Sequence, residues 1–123
     1  MKIIECVPNF SEGRDPVKVR AIADAVRSSR GVRCLDVSWD HDHHRCVITF
    51  VGQEEDVIEG ALAAAGKAME QIDIRGHGGV HPRIGAVDVV PFVPLGDALM
   101  DDAVRAAHRF GEGLATRFGV PVF

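Results

Sequence analysis

The chain has 123 residues, of which 46% are apolar and 26% charged, and its formal net charge is −4. This length and composition predict one globular domain over residues 1–123. The negative charge argues against a nucleic-acid surface, which needs clustered cations. No apolar run approaches the roughly 20 residues that cross a membrane. We therefore expect neither nucleic acid nor membrane among its partners.

The three cysteines are Cys6, Cys34 and Cys46. They are odd in number, widely spaced and contain no C-x-x-C pair, which is typical of reduced thiols in a cytoplasmic protein. We expect them to act as small buried hydrophobes. A nucleophilic role for Cys6 is the alternative, although no histidine stands near it in the sequence.

The first half of the chain predicts a strand, a helix and a hairpin. Residues 2–7 form an apolar strand that ends at Pro8, and Asp15 followed by Pro16 predicts a helix start. The helix ends at Gly31, and its inward face is predicted to be Val17, Ala21, Ile22, Ala25 and Val26. Segments 32–38 and 45–51 then predict two strands joined by a long polar loop.

The second half predicts a helix, a strand and a third helix. After Gly52, three acidic residues open a helix that runs to Ile72. A glycine-rich loop, RGHGGVHPRIG, leads into a strand over 86–93. Asp97 is predicted to cap the last helix and Gly119 to close it, before residues 120–123 begin another strand. The inward face of that helix is predicted to be Leu99, Ala103, Ala106, Ala107, Phe110 and Leu114.

This order is β-α-β-β-α-β with an additional C-terminal helix and short strand. The first six elements predict an α+β ferredoxin-like fold, in which an antiparallel sheet carries helices on one face.

The glycine-rich loop combines groups suited to proton transfer beside an anion. His77 and His81 titrate near neutral pH, Pro82 restricts the backbone of His81, and Arg83 offers a donor fork for a carboxylate. The loop follows a helix and opens a strand, unlike a dinucleotide-binding loop, and it lacks the H-E-x-x-H and Gly-Lys-Ser patterns of zinc proteases and phosphate loops. A connector whose histidines face solvent is the alternative.

Two further loops carry polar residues. The segment from Asp40 to Arg45 holds His41, His43 and His44, which predict either a metal-binding hairpin or a solvated tip, while Arg45 is a candidate anion contact. The loop from Pro8 to Gly13 predicts either ligand contacts or helix capping by Ser11 or Asp15.

Three segments, ECVPNFSEG, RCVITFVG and HPRIGAVDVVPFVP, together resemble the formiminotransferase family over essentially the whole chain. The resemblance implies transfer of a formimidoyl group between N-formimidoyl-glutamate and tetrahydrofolate, a step of histidine breakdown. It also implies two ferredoxin-like subdomains side by side, with folate in the groove between them.

The resemblance places the family's catalytic histidine at His81, as the general acid and base that shuttles a proton between the two amines. Asn9, Arg45, His77 and Arg83 match positions near the groove and are implied substrate- or folate-binding residues. Asp88 is implied on the same strand surface, with a structural role as the alternative.

The chain also departs from the family pattern. Ser38 stands where relatives usually have a second acid, and His44-Arg45 where they commonly have N-R. Relatives continue beyond the position of Phe123 into a second subdomain. We therefore expect completion by that missing C-terminal subdomain or by self-association into a homo-oligomer. A non-catalytic, possibly dimeric module that binds folate or another small anion is the alternative.

Overall fold

The computed structural model describes residues 1–72 and 86–119, and the elements appear in the predicted order with one additional short strand, at residues 9–10. The chain forms β1 (Lys2–Cys6), β2 (Asn9–Phe10), α1 (Pro16–Arg27), β3 (Arg33–Asp40), β4 (Arg45–Gly52), α2 (Glu54–Gln71), β5 (Phe92–Gly96) and α3 (Met100–Phe118). None of the helices in the described ranges combines the length and apolarity of a membrane span.

The strands form one antiparallel sheet in the order β3-β4-β1-β5, and β2 lies along the same edge of β4 as β1. Because β4 lies between β1 and β3, and β1 lies between β4 and β5, α1 and α2 each connect two parallel strands separated by one antiparallel strand. This split β-α-β topology confirms the predicted ferredoxin-like fold.

The sheet has a covered inner face and an outer face. Alternate residues of β1 and β4 are buried, as expected where helices cover one side. The middle helix, α2, packs against α1, α3 and the sheet, which explains its small buried side chains. Phe92 of β5 meets Phe110 of α3 with ring centroids 5.7 Å apart. The largest core side chains are Ile4, Phe10, Val19, Ile22, Val26, Ile48, Phe50 and Val57.

The helix ends confirm two predictions and correct one. The Asp15 carboxylate accepts a hydrogen bond from the Val17 amide, and Gly119 ends α3 with a φ of 66°. The predicted cap at Asp97 is wrong, because α3 begins three residues later and Asp97 instead binds the N-terminal ammonium group. The Asp102 carboxylate occupies the capping role, accepting from the Leu99 amide at 2.8 Å.

Two predicted helix faces were partly wrong. In α1 the buried residues start at Val19. Val17 is 67% exposed because it lies two residues before Val19 and therefore on the opposite side of the helix. In α3, Leu99 precedes the first turn and Ala107 follows the buried Ala106 by one position, so both are exposed.

The last strand lies later in the chain than predicted. β5 spans Phe92–Gly96 rather than 86–93, although residues 86–91 remain hydrogen-bonded beside residues 7–11. Pro94 within β5, and Pro91 directly before it, fit an edge strand, where a missing N–H group costs least. The predicted strand at 120–123 lies outside the described residues.

Candidate functional site

A polar cluster lies on the outer face, at one end of the sheet. Asn9 pairs with Val47 of β4, and Arg45 opens the same strand two residues earlier. Asp88 lies on the segment that runs along the other side of β2. Three separate parts of the chain therefore bring Asn9, Arg45 and Asp88 to one end of the sheet.

An irregularity in the ladder positions Asp88. Its amide donates to the Asn9 carbonyl at 2.9 Å, whereas the Asn9 amide donates to the Val89 carbonyl at 2.8 Å. Two residues thus face one, which is the arrangement of a β-bulge and redirects the side chains of the bulged strand. Arg45 Nη2 lies 3.3 Å from Asp88 Oδ2, and the two side chains are 52% and 46% exposed.

The side chain of Asn9 is partly committed to its own loop. Its Nδ2 donates a hydrogen bond to the Val7 carbonyl at 3.1 Å. An amide group has two N–H donors and one acceptor oxygen, so this bond uses one donor. Asn9 and Arg45 are both implied as binding residues, and both lie on the same face of the sheet.

The loop from Ser11 to Asp15 is fixed by a buried carboxylate. The Glu12 side chain is only 6% exposed, and its Oε2 accepts hydrogen bonds from the amides of Arg14 and Asp15 at 3.1 and 3.0 Å. Lys18 Nζ lies 3.9 Å from Oε1. Because its oxygens are paired in this way, the buried Glu12 carboxylate avoids most of the free-energy cost of desolvation.

This loop is attached to the turn between β3 and β4. The Gly13 amide donates to His44 Nδ1 at 3.1 Å, and Arg14 Nε donates to the His41 carbonyl at 3.0 Å. A Cβ atom on Gly13 would lie 2.4 Å from both the Arg45 nitrogen and the Asp40 carbonyl oxygen, so only glycine fits. We call these two segments, 11–15 and 40–45, the loop–turn junction.

The histidines of the turn do not converge on a metal position. His43 Nδ1 bonds the Asp40 carboxylate and is exposed, whereas His44 points to Gly13. The hydrogen bond from His43 lowers the pKa of Asp40. Within residues 1–72 and 86–119, no group of three or more histidine, cysteine or acidic side chains is arranged to hold a metal ion. The metal-binding hairpin thus finds no support, and Asp15 rather than Ser11 provides the predicted helix cap.

The cysteines are free, and Cys6 and Cys46 are buried in the core. Burial raises the pKa of both thiols, that of Cys46 to about 12 with a further contribution from Glu12. A thiol in such surroundings is a poor nucleophile, which argues against the alternative for Cys6. Cys34 is only half-buried and packs against the core.

The remaining predicted site residues, His77, His81 and Arg83, lie outside the described ranges. Sequence reasoning missed Glu12, Gly13 and the contact role of His44. The only sequence signal for them was an acidic residue followed by a glycine, at Glu12 and Gly13, and this pattern is also typical of an exposed loop.

In residues 1–72 and 86–119, an antiparallel split β-α-β sheet carries helices on one face and a polar cluster on the other, which defines an α+β domain. The sequence matches the profile of the formiminotransferase domain, N-terminal subdomain, over residues 3–123. The chain belongs to the formiminotransferase family and corresponds to its N-terminal subdomain.

Characterised relatives share much of this sequence. The chain is 49% identical over 122 residues to the formimidoyltransferase-cyclodeaminase of Sus scrofa, covering 99% of the chain and 23% of that protein. It is 47% identical over 123 residues to the glutamate formimidoyltransferase of Thermoplasma acidophilum, covering 100% of the chain and 41% of that protein. The Streptococcus pyogenes enzyme of the same name is 39% identical over 122 residues, with 99% and 41% covered. The chain thus spans less than half the length of these relatives.

Proposed function

We propose that this chain supplies the N-terminal, histidine-bearing half of a folate-dependent glutamate formimidoyltransferase. The observation that carries the proposal is the match over residues 3–123, together with 47% identity to a glutamate formimidoyltransferase. Tetrahydrofolate is the co-substrate and N-formimidoyl-glutamate the donor. The three free thiols suit a reducing cytoplasm.

The reaction moves one carbon unit and one proton. A tetrahydrofolate amine attacks the formimidoyl carbon, and the resulting tetrahedral intermediate collapses as the bond to the glutamate nitrogen breaks. The folate nitrogen loses a proton and the glutamate nitrogen gains one, so no proton is consumed overall. His81 accepts the first proton and returns it to the leaving amine, as one imidazole can near neutral pH.

The polar cluster supplies binding groups for this reaction. Arg45 presents a half-exposed guanidinium, which pairs well with a carboxylate of glutamate or folate. Asn9 lies beside it and contributes amide hydrogen bonds. His81, five residues before Ala86 in the sequence, is the general acid and base in this proposal. His77 and Arg83, in the same segment, are further binding residues in this proposal.

Completion of the site requires a second surface. Val89, Val93 and Leu95 are between 37% and 53% exposed. The outward-facing residues, which alternate with buried ones along the strands, are only half-buried. Exposed apolar area of this kind commonly becomes an interface. We propose that a C-terminal subdomain covers it in a longer protein, and that a second copy of this chain covers it in a homo-oligomer.

The test is a chimaera in which this chain replaces the matching 41% of the Thermoplasma acidophilum enzyme. Formimidoyl transfer is followed by mass spectrometry of the folate product. We expect His81→Ala to lower kcat by about 10² to 10⁴ while the melting temperature is unchanged. His108→Ala, at an exposed histidine of α3, is the matched control and keeps full activity. An active His81→Ala chimaera contradicts the assigned role.

A binding module without catalysis is the second candidate, favoured by the half-exposed side chain of Arg45 on the outer face of the sheet. In that case folate raises the melting temperature of the isolated chain, because a ligand specific to the folded state stabilises it. Arg45→Met removes the shift, and no transfer occurs in the chimaera.

A further inference from the structure

The strongest geometric constraint near the polar cluster acts on the residue directly before Arg45. His44 has a φ of 52° and is the one non-glycine residue with positive φ in residues 1–72 and 86–119. Histidine, asparagine and aspartate enter this left-handed region more readily than other side chains, yet it stays unfavourable unless the surroundings hold it. At His44, the surroundings are the loop–turn junction.

The hydrogen bond from Gly13 also selects the tautomer of the neutral ring. Because the Gly13 amide donates to Nδ1, that nitrogen presents its lone pair, and a neutral imidazole then carries its proton on Nε2. Glu12 Oε2 lies 3.6 Å from the same Nδ1. With Nδ1 acting as an acceptor, this contact is not a hydrogen bond, so the carboxylate is a neighbour of the ring rather than its proton acceptor.

Glu12 acts on His44 through the backbone. Its Oε2 binds the amides of Arg14 and Asp15, which closes the loop immediately after Gly13. The closed loop directs the Gly13 amide at His44 and brings the Gly13 Cα against the Arg45 backbone. The constraint therefore runs from Glu12 through Gly13 and His44 to Arg45.

We propose that Glu12 and His44 are positioning residues that hold Arg45 for a substrate carboxylate. The proposal rests on the proposed function only in naming that substrate. Neither side chain is assigned contact with the reacting atoms: Glu12 is buried and occupied by backbone amides, and the Nδ1 of His44 is occupied by Gly13. Their role is to fix the direction from which the guanidinium leaves β4.

This role predicts which replacements are tolerated. Asparagine adopts left-handed backbone readily and its carbonyl oxygen can accept the Gly13 hydrogen bond, so His44→Asn preserves the arrangement. Leucine has similar bulk but neither property. At position 12, glutamine keeps an acceptor oxygen for the two amides, whereas leucine leaves both unsatisfied. Each position thus offers a preserving variant and a disrupting one.

The first test needs no activity. Nitrogen-15 NMR of the unmodified chain is expected to show His44 protonated on Nε2, and the Arg45 Nε–H signal is expected to shift on titration with glutamate. His44→Asn and Glu12→Gln keep the Arg45 response, while His44→Leu and Glu12→Leu weaken it by about tenfold in apparent affinity. If the melting temperature shows that His44→Leu does not fold, the comparison of Glu12→Gln with Glu12→Leu decides the test.

The second test uses the chimaera. The disrupting variants are expected to raise KM for N-formimidoyl-glutamate about tenfold with kcat nearly unchanged, as for lost ground-state binding. If no chimaera transfers the group, the proposed function fails while the NMR result still decides the positioning role. An unaltered Arg45 response in folded His44→Leu and Glu12→Leu overturns the inference, as does a His44→Asn variant that behaves like His44→Leu.

Discussion

Arg45 and Asp88 form an ion pair across the short strand β2, with Nη2 and Oδ2 3.3 Å apart. Both side chains are about half exposed, so solvent screens the pair and its contribution to stability is small. For the proposed binding role of Arg45, Asp88 is the competing anion, and a substrate carboxylate is expected to displace Asp88 or to bind beside it.

Replacing Asp88 should strengthen anion binding. In Asp88→Asn the guanidinium loses its competing partner, so we expect glutamate to bind more tightly, while the free energy of unfolding falls by less than about 1 kcal/mol. NMR titration and urea unfolding measure the two effects. Asp24→Asn is the matched control, since Asp24 forms a surface pair with Arg27 on α1. Weaker glutamate binding by Asp88→Asn would show that Asp88 orients Arg45 instead.

A methyl group at position 13 should open the loop–turn junction. In Gly13→Ala the new Cβ meets backbone atoms of Asp40 and Arg45 at 2.4 to 2.5 Å, and backbone cannot easily retreat. We expect a loss of about 3 kcal/mol in the free energy of unfolding, measured by urea denaturation. Gly119→Ala is the control: its φ is positive but no atom of the described residues lies within 4 Å of an added Cβ, so a loss of about 1 kcal/mol is expected. Equal losses of free energy of unfolding in the two variants would show that the loop–turn junction moves to accommodate the methyl group.

Thiol labelling should report the burial of the cysteines. Burial raises the pKa of Cys46 to about 12, and Cys6 is as deeply enclosed, so neither forms thiolate readily at pH 8. We expect one rapid equivalent with a disulfide reagent in the folded protein, from Cys34, and three equivalents in urea. In Cys34→Ser the rapid equivalent disappears. Rapid reaction of two or more thiols in the folded wild type would contradict the described core.

Acid should weaken the start of α3. The hydrogen bond from the Leu99 amide, assisted by Arg105 and Lys2, lowers the pKa of Asp102 from 3.8 to about 2. A carboxyl whose pKa is lower in the folded state stabilises the fold above its unfolded pKa, and this stabilisation is lost as the pH falls from about 4 to 2.

The measurement is the free energy of unfolding as a function of pH. Between pH 4 and 2 we expect a shallower decline in Asp102→Asn than in the wild type. Asp101→Asn removes the same charge one position earlier, on an exposed side chain, and should follow the wild-type curve. A wild-type slope in Asp102→Asn would mean that Asp102 contributes little at acid pH.

Local patterns predicted the fold because they act over short distances. Asp15 before Pro16 and Gly119 after a helical repeat each specify a helix end through their own geometry, and both were confirmed. The prediction for Asp97 failed because the carboxylate that binds the free amide at the start of α3 lies inside its first turn, at Asp102. The N-terminal ammonium group, 96 residues away, gave Asp97 another partner.

The loop–turn junction could not be predicted in this way. Gly13 and His44 are 31 residues apart, and an acidic residue beside a glycine ordinarily marks a solvated loop. The turn between β3 and β4 contributes a neighbour to the buried Glu12, with His44 Nδ1 3.6 Å from Glu12 Oε2. The three histidines of that turn suggested a metal site from composition alone, whereas the left-handed backbone at His44 separates its ring from that of His43.

The three helices of residues 1–72 and 86–119 pack on one face of the sheet, so core side chains and the side chains of the proposed binding face alternate along the same strands. In β4, for example, Ile48 and Phe50 serve the interior while Arg45, Val47 and Thr49 face away from it. A substitution at an outward position of β4 therefore changes the exposed surface while the packing of the buried positions stays as it is.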